Sequence, residues 1–239
     1  KIIIVDTGSI DSTLSIISDY DSDKIDLYFF KWNNNFSEVR NYAISKVDYG
    51  WVFFIDADEV LDEKMDYQSL HDYLKGFENN KYMKHLVLSP VIIDVGTEQR
   101  HKNIHRIFLK NDDLYYFGTV HEQIRSKKNE IKVINTKIKL FHYGYLKQVI
   151  LKKDKYKRNL ELLEKMIEIE PNCPRWSYMY LQDGFEILDT DTLESVIKSA
   201  IFIDRNGSIV ESNIKKNSYT FGFLVYLCKI KIKKRNSQM

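Results

Sequence analysis

The stretch WVFFIDADE, residues 51–59, decides the fold of this chain. Five apolar side chains are followed at once by acidic ones, a pattern typical of a buried strand that ends at the edge of a sheet. Upstream, strands are predicted over residues 2–5 and 24–30, and helices over residues 11–18 and 37–46. Strands that alternate with helices indicate a parallel, doubly wound arrangement. The sequence therefore predicts an α/β fold with a mostly parallel central sheet flanked by helices.

The rest of the chain divides into a region of shorter strands and a region of helices. We predict a helix over residues 66–75, a polar loop over 96–103, and strands over 85–95, 104–110, 115–117 and 132–141. Beyond Tyr145 the apolar spacing is helical, with helices predicted over 151–170, 176–188 and 193–203. The last two helices together have about the length of one tetratricopeptide unit. We therefore predict a sheet domain over residues 1–145 and an all-helical, tetratricopeptide-like region over residues 146–239.

Charge and cysteine content exclude several classes of protein. The chain has 239 residues with 36 Lys and Arg against 34 Asp and Glu, a net charge of +2. Nucleic-acid proteins carry a basic excess that neutralises phosphates, so no nucleic-acid partner is expected. Cys173 and Cys228 lie far apart and outside any Cys-x-x-Cys spacing, which predicts neither a disulfide framework nor a thiolate zinc site. We expect a cytoplasmic protein.

The first candidate site is the acid pair Asp56 and Asp58, which follows the predicted strand. In open α/β folds, ligands bind at the carboxyl edge of the sheet, where these carboxylates are expected. Such acids can gather around Mg²⁺ or Mn²⁺, which prefer oxygen ligands and leave positions open for diphosphate oxygens. The alternative is a solvated loop, because the Asp-x-Asp pattern alone is common.

Two further candidates lie upstream of the acid pair. Asp6 ends the first predicted strand, within the run VDTGSIDST of residues 5–13, and its carboxylate can accept hydrogen bonds from a base or a ribose. Arg40 lies on the first turns of the helix over 37–46, for which Ser37 is the predicted N-cap. A guanidinium suits phosphate or a nucleobase. The alternatives are a helix cap for the first run and a surface ion pair for Arg40.

The last two candidates follow predicted strands in the second half of the sheet region. They are the segments FGTVHE, residues 117–122, and FHYGY, residues 141–145. His142 follows a strand and can supply a nitrogen ligand or a phosphate donor beside a metal. A lone histidine more often has a structural role, which is the alternative here.

The order of these segments resembles one family. Residues 5–13 resemble the Val-Asp-x-Gly-Ser-x-Asp-x-Thr element of family-two glycosyltransferases with the GT-A fold. Residues 32–41, 54–59, 117–122 and 142–145 resemble the subgroup that joins this domain to helical repeats. That subgroup includes lipopolysaccharide-core glucosyltransferase-like proteins and bacteriocin peptide S-glycosyltransferases.

The resemblance extends over about residues 1–188 and implies an activity. A sugar would pass, with inversion, from a nucleoside-diphosphate sugar donor to a saccharide or peptide acceptor, with Mg²⁺ or Mn²⁺ as cofactor. The residues implied in donor binding are Asp6, Arg40 and Asp56. The metal ligands implied are Asp58, Asp56 and His142. Glu122 is the first candidate for the catalytic base, and the alternatives are Asp112, Asp113 and Glu59.

Two features depart from the family's pattern. Family members carry an earlier strand with a Val-x-Asn-Glu-type ending that contributes to the nucleotide pocket, whereas this sequence begins with the strand over residues 2–5. We therefore expect the first strand of the domain to be missing. Thr7 stands where many relatives have a second Asp that contacts the base, which predicts altered base contacts rather than loss of activity.

The region beyond residue 146 is predicted to recognise an acceptor or to form a homo-oligomer, with plain structural packing as the alternative. An apolar run over residues 221–228 precedes a basic run over 229–235. We predict a frayed basic tail, and the alternative is peripheral contact with an anionic membrane surface, which this combination suits. From another class of function, the alternative to an enzyme is a catalytically silent scaffold or binding module.

Overall fold

The computed structural model describes residues 1–20, 23–78, 82–144, 152–202 and 216–236. The chain divides into two compact units, Lys1–Ile150 and Leu151–Met239. The predicted boundary at Tyr145 lies outside the described residues.

The first unit begins with a small parallel sheet. Strand β1 (Ile2–Asp6) pairs with β2 (Ile25–Phe29), and helix α1 (Thr13–Asp19) lies between them in sequence. Helix α2 (Phe36–Ser45) follows and packs against β1. These four elements confirm the strands and helices predicted for this part of the chain.

The N-cap of α2 differs from the prediction. Asn35 has the extended backbone of an N-cap, and its side-chain oxygen accepts a hydrogen bond from the Glu38 N–H. Ser37 lies inside the first turn and donates its hydroxyl to Asn35 Oδ1 at 2.8 Å. The prediction of Ser37 as the cap is therefore wrong, because asparagine two residues earlier already satisfies the first turn.

A larger sheet and a separate hairpin follow α2. In chain order the elements are β3 (Trp51–Phe53), β4 (Glu59–Leu61), α3 (Tyr67–Lys75), a 3₁₀ turn (Met83–His85), β5 (Leu86–Asp94), β6 (Arg100–His101), β7 (Ile107–Leu109), β8 (Leu114–Phe117), β9 (Gln123–Ser126) and β10 (Lys132–His142). Within the described residues, β8 pairs with β9, and the central sheet has the order β3-β7-β5-β10-β4, with β6 paired to β5.

The direction of the strands corrects one prediction. The α/β class, with a central sheet and flanking helices, is confirmed. In the central sheet β5 and β10 run parallel, but the β3–β7, β7–β5, β5–β6 and β10–β4 pairs are antiparallel. The prediction of a mostly parallel sheet is therefore wrong, and the sheet is mixed. The link from β5 to β6, residues 95–99, is too short for the crossover that parallel pairing needs.

The two faces of the central sheet are covered by different elements. On β7, Phe108 packs in a cluster with Ile44 of α2 and Tyr116 of β8. Its neighbour Ile107 packs in another cluster with Leu74 of α3. Because successive side chains of a strand point to opposite faces, α2 with the hairpin and α3 enclose the sheet from both sides.

The second unit consists of helices in the part of the chain that the structure describes. They are α4 (Lys152–Ile169), α5 (Pro174–Gly184), α6 (Thr190–Ile201) and α7 (Thr220–Asn236). On α6, Leu193, Ile197 and Ile201 recur every four residues and are fully buried. The predicted helices are confirmed apart from the end of the one over 193–203, which extends beyond the described residues. The tetratricopeptide-like arrangement stays a prediction.

The predicted basic tail is helical. Residues 229–235 continue α7 because Ile230 is fully buried and Lys234 lies 2.6 Å from carboxylate oxygens of both Asp191 and Glu194 on α6. The prediction of a frayed tail is therefore wrong for these residues. Among the described helices, none has the length and the apolar composition needed to cross a bilayer.

Candidate active site

Three strand ends meet at one edge of the central sheet. In the β10–β5 pair, His142 stands opposite Asp94, and in the β10–β4 pair it stands opposite Glu59. Asp58 comes directly before β4, and its carbonyl accepts a hydrogen bond from the Tyr143 N–H at 2.8 Å. The strand register therefore brings the second acid of the Asp-x-Asp pair next to the predicted histidine.

Four side chains at this edge form a continuous line, which we call the histidine chain: Asp58, His142, Asp94 and His101. His142 Nε2 lies 3.2 Å from Asp58 Oδ2, and His142 Nδ1 lies 2.9 Å from Asp94 Oδ1. The other oxygen of Asp94 lies 2.7 Å from His101 Nε2. The exposed fraction of the side chain falls from 51% for Asp58 to 15% for His142 and 4% for Asp94, and rises to 42% for His101.

Asp94 is the buried centre of the histidine chain. Burial raises the pKa of its carboxyl, but the hydrogen bonds and charges of His101 and His142 outweigh that effect and leave the pKa below its ordinary value. A buried carboxylate is stable only with such partners. Asp94 is therefore an anion fixed between two imidazoles.

Gly144 lies close to the facing atoms of Asp58 and His142. A Cβ at Gly144 would lie 2.7 Å from His142 Nε2 and still closer to Asp58 Oδ2. Real Cβ atoms essentially never approach other atoms so closely. Any larger residue at position 144 would therefore crowd the two atoms that face each other across this pair.

The Asp58 and His142 atoms fit a divalent cation. Two neighbouring ligands of an octahedral ion with bonds of about 2.1 Å lie about 3 Å apart, close to the separation of Asp58 Oδ2 and His142 Nε2. Among the described residues, no group of three or more His, Cys, Asp or Glu side chains is arranged to hold a metal ion. A cation here would take its other ligands from water and phosphate, as Mg²⁺ commonly does.

A second group of charged side chains, which we call the arginine cluster, surrounds the first acid of the pair. It consists of Arg40, Arg106, Asp56, Glu59 and Glu122. Arg40 binds Asp56 Oδ1 at 2.8 Å and Glu122 Oε1 at 2.5 Å. Arg106 binds Asp56 Oδ2 at 2.5 Å and Glu59 Oε1 at 3.2 Å. Both oxygens of Asp56 are thus occupied by arginines, whereas Asp58 is half exposed.

Ion pairs in the arginine cluster favour the charged forms of Asp56 and Arg40. Burial raises the pKa of Asp56, but the charges of Arg40 and Arg106 and their hydrogen bonds bring the pKa below its ordinary value. Burial lowers the pKa of Arg40, but Glu122 and Asp56 bring it above its ordinary value. Arg40 also lies 5.2 Å from the ring centroids of Phe54 and Tyr116. The cluster is thus fixed by charge and by aromatic contacts.

The position of Arg40 depends on the residue beside it. The Asn41 amide donates to the Tyr116 carbonyl at 2.9 Å and accepts from the Tyr116 N–H at 2.8 Å. These two bonds join α2 to β8, whose hairpin carries Glu122 just before β9. Asn41 therefore brings Arg40 and Glu122 to the same place, although 82 positions separate them in the sequence.

Asp6 makes its hydrogen bonds within its own turn. Its Oδ1 accepts from the Gly8 N–H at 2.9 Å, and its carboxylate also bonds to the Ser9 N–H and hydroxyl. The Ser9 hydroxyl, partly opposed by burial, lowers the pKa of Asp6 below its ordinary value. Among the described residues, Asp6 forms no hydrogen bond or ion pair with the other predicted site residues.

Three residues of the two groups were not predicted: Arg106, Asp94 and His101. Each lies on or beside a strand without a local motif. Asp94 ends a long apolar strand, as Asp56 follows one, and that position is the signal that indicates a site residue. The contacts of Arg106 and His101 depend on strand pairing, which periodicity does not report.

The family model of glycosyl transferase family 2 matches residues 1–150. The chain belongs to this family, as the order of its motifs indicates.

Two curated relatives match most of the chain. The SPbeta prophage-derived glycosyltransferase SunS of Bacillus subtilis (strain 168) and the glycosyltransferase SunS of Bacillus phage SPbeta are each 29% identical to it over 196 residues. The match covers 80% of this chain and 44% of each relative. The chain therefore spans less than half the length of these relatives.

Solved structures of TarS from S. aureus are also similar. TarS 1-349 in complex with UDP is 14% identical, with a TM-score of 0.46, over 83% of this chain and 69% of that chain. A second structure of TarS 1-349 is 14% identical, with a TM-score of 0.43, over 78% of this chain and 63% of that chain.

Proposed function

We propose that this chain is the catalytic part of a metal-dependent glycosyltransferase that moves a sugar from a nucleoside-diphosphate donor to a saccharide or peptide acceptor with inversion. Family membership supports sugar transfer. The observation that carries the metal-dependent form is the Asp58–His142 pair, whose facing atoms are 3.2 Å apart and lie next to Gly144, where a Cβ would crowd them.

Asp58 and His142 would hold Mg²⁺ or Mn²⁺, with Asp56 reaching it through water because both Asp56 oxygens are occupied by arginines. When bound, the cation would neutralise the charge that develops on the departing diphosphate. The charges at this edge support the need for a cation. The arginine cluster has three carboxyl groups and two guanidiniums, and the histidine chain adds two carboxyl groups, so this edge by itself repels a diphosphate.

Arg40 and Asp6 would contribute to binding the nucleotide part of the donor. Arg40 has a fixed guanidinium at the edge that also carries the metal pair, and a fixed donor loses little entropy when a ligand binds. Asp6 ends β1 with a carboxylate that its own turn already orients. These contacts would set the position of the sugar relative to the acceptor.

Glu122 would accept the proton of the acceptor during an inverting transfer. It lies in the connection between β8 and β9, and its side chain is 11% exposed. One oxygen is bound to Arg40 Nε, which would hold the carboxylate in a fixed orientation. An acceptor thiol needs less assistance than a hydroxyl, because its pKa of about 8.5 leaves part of it ionised.

The competing function is a catalytically silent scaffold, and ligand-induced stabilisation separates the two. We expect UDP, GDP, ADP or TDP, together with Mn²⁺, to raise the melting temperature by about 5–10 °C at a hundredfold excess over the Kd. Without Mn²⁺ the rise should be much smaller. If no diphosphate shifts the melting temperature with or without Mn²⁺, the scaffold is the better description.

The Asp58→Asn variant tests which acid holds the cation. It should lose the Mn²⁺-dependent part of the shift and, with it, about 10³-fold in the release of UDP from UDP-glucose or UDP-N-acetylglucosamine. Asp62→Asn is the matched control, because Asp62 follows β4 and its carboxylate contacts Lys139 at 3.6 Å and the Lys64 N–H at 3.1 Å, away from the Asp58–His142 pair. An unchanged shift in Asp58→Asn would remove Asp58 from the metal site.

We further propose that one face of α7 makes the peripheral membrane contact. Phe221, Val225, Cys228 and Ile232 are exposed and recur at intervals of four, three and four residues, which places them on one stripe. The exposed basic residues Lys229, Lys231 and Arg235 flank this stripe. An apolar stripe bordered by basic side chains is complementary to an anionic lipid surface.

Vesicle sedimentation tests this contact. The chain should bind phosphatidylserine-containing vesicles, and the double variant Phe221→Ser/Ile232→Ser should bind about tenfold more weakly, since two large apolar side chains are lost. Ile169→Ser on α4, which also replaces an exposed apolar residue, serves as the control. Equal binding of the wild type to vesicles of phosphatidylcholine alone would contradict an electrostatic contribution.

A further inference from the structure

His142 is oriented from the side that faces away from Asp58. Its Nδ1 lies 2.9 Å from Asp94 Oδ1, while its Nε2 faces Asp58 Oδ2 at 3.2 Å. A neutral imidazole carries one hydrogen, and here both ring nitrogens face a carboxylate. Asp94 is the closer of the two and is 4% exposed, against 51% for Asp58, so its hydrogen bond is less weakened by water and favours the hydrogen on Nδ1. With the hydrogen on Nδ1, the lone pair of Nε2 points towards Asp58.

We propose that Asp94 is a positioning residue for this site, which selects the tautomer of His142 and fixes its ring so that Nε2 is available as a ligand. The proposal rests on the proposed function in one respect, namely that a divalent cation binds between Asp58 and His142. Carboxylates that accept the second N–H of a ligating histidine are known to tune metal affinity, commonly by about 10–100-fold when removed.

The surroundings of Asp94 explain how it can hold the ring. It ends β5 directly beside His142 in the parallel register, so their side chains lie on the same face of the sheet. Its backbone is fixed on both sides: the Asp94 N–H donates to the Gln99 carbonyl, and the Asp94 carbonyl accepts from the Glu98 N–H, each at 2.9 Å. The carboxylate therefore has little freedom to follow the imidazole if the latter turns.

His101 extends this role by holding the other oxygen of Asp94. The β5–β6 pairing places His101 opposite Ile92, and His101 Nε2 reaches Asp94 Oδ2 at 2.7 Å. His101 itself is 42% exposed, so its replacement disturbs the core little. We infer that His101 limits rotation of the Asp94 carboxylate and contributes to the position of His142 through it.

The test compares Mn²⁺ binding in five forms of the full chain: the wild type, Asp58→Asn, Asp94→Asn, His101→Gln and Asp62→Asn. Free Mn²⁺ is measured by electron paramagnetic resonance while Mn²⁺ is titrated in the presence of UDP. Asp94→Asn should weaken Mn²⁺ binding by about 10–100-fold, because an amide can turn either its oxygen or its NH₂ towards the imidazole. His101→Gln should weaken it by about threefold, and Asp62→Asn should leave it unchanged.

A second measurement separates positioning from general damage. Nitrogen-15 spectra of histidine-labelled, metal-free protein report which ring nitrogen carries the hydrogen. The wild type should show His142 with hydrogen on Nδ1, and Asp94→Asn should show a mixture of tautomers while it still unfolds cooperatively. A loss of stability without a change of tautomer would mean that Asp94 is structural and would overturn the proposal.

The outcomes also separate this proposal from the proposed function. If the wild type binds Mn²⁺ with UDP and Asp58→Asn does not, while Asp94→Asn binds like the wild type, then only the positioning role fails. If the wild type binds no Mn²⁺, the metal site itself fails. If Asp94→Asn does not fold, His101→Gln decides: unchanged Mn²⁺ affinity together with an unchanged tautomer overturns the proposal.

Discussion

The arginine cluster and the histidine chain contain the two acids of one Asp-x-Asp pair, yet they place those acids in opposite environments. Asp56 has both oxygens bound by guanidiniums, and its pKa is lowered by them. Asp58 is half exposed and faces one imidazole. Two acids separated by a single alanine are therefore placed differently: the first joins α2 to the sheet, and the second is exposed to solvent beside His142.

The local backbone explains the difference. The Asp56 carbonyl accepts from the Glu59 N–H, and the Asp56 N–H donates to Glu59 Oε2, each at 2.9 Å. This tight turn reverses the direction between β3 and β4, so the two side chains project towards different neighbours. An acidic motif thus reports where carboxylates gather, but the turn decides which of them binds the arginines.

The largest expected effect concerns Glu122 of the arginine cluster and its part in the chemistry. Glu122→Gln should lower the rate of UDP release from UDP-sugars by about 10²–10⁴-fold, because the amide cannot accept a proton. The amide oxygen can still accept the hydrogen bond from Arg40 Nε. Glu122→Ala, which removes this bond as well, should be at least as slow. A Glu122→Gln rate within twofold of the wild type would show that Glu122 only holds Arg40.

Asp56 and Asp58 should also differ in how much they contribute to the free energy of unfolding. Asp56→Asn should lower the free energy of unfolding by about 1–3 kcal/mol, because it weakens two ion pairs whose arginines are mostly buried. Asp58→Asn should change the same quantity by no more than about 0.5 kcal/mol, as is usual for exposed positions. Urea unfolding of both variants measures the difference. A larger loss in Asp58→Asn would reverse our assignment of the two acids.

A methyl group at position 144 tests the Asp58–His142 pair directly. Gly144→Ala should weaken Mn²⁺ binding in the presence of UDP by about tenfold, or about 1.4 kcal/mol, because the new Cβ displaces Asp58 or His142. Gly76→Ala is the control, since Gly76 follows α3 with helical backbone angles. Tight binding by Gly144→Ala would mean that the cation does not lie between these two side chains.

The smallest effect concerns the helix that carries Arg40. Asn35→Ala should lower the free energy of unfolding by about 1 kcal/mol, the usual value of an N-cap. Ser37→Ala should cost less, because the Ser37 hydroxyl bonds to the Asn35 side chain rather than to a backbone N–H. Urea unfolding again provides the measurement. A greater cost for Ser37→Ala would restore Ser37 as the functional cap.

Local patterns predicted the elements that carry the site. The apolar run before Asp56 predicts β3, and the acids after it predict a site at the end of that strand. The apolar spacing on α6 predicts which side of that helix is buried. The same patterns could not predict that β4 and β6 exist, because strands of two or three residues are too short to show a period.

The partners of the site residues depend on strand pairing. Asp94 and His142 are 48 positions apart, and Arg106 and Asp56 are 50 apart. Asp94 meets His142 because β10 lies beside β5, and Arg106 meets Asp56 because β7 lies beside β3. Pairing of distant strands is set by the packing of the whole sheet, so residues such as Arg106 and His101 carry no local signal of their contacts.

Hydrophobic period and motif order are local properties, and they are enough to predict the family, most of the helices and strands, and the acids at the sheet edge. Three further features come from the folded structure: the sheet is mixed, arginines bind both oxygens of Asp56, and His142 stands between Asp58 and Asp94. The physical reason is that the ionisation and availability of a carboxylate depend on the charges within a few ångströms of it, and folding brings those charges from distant parts of the chain.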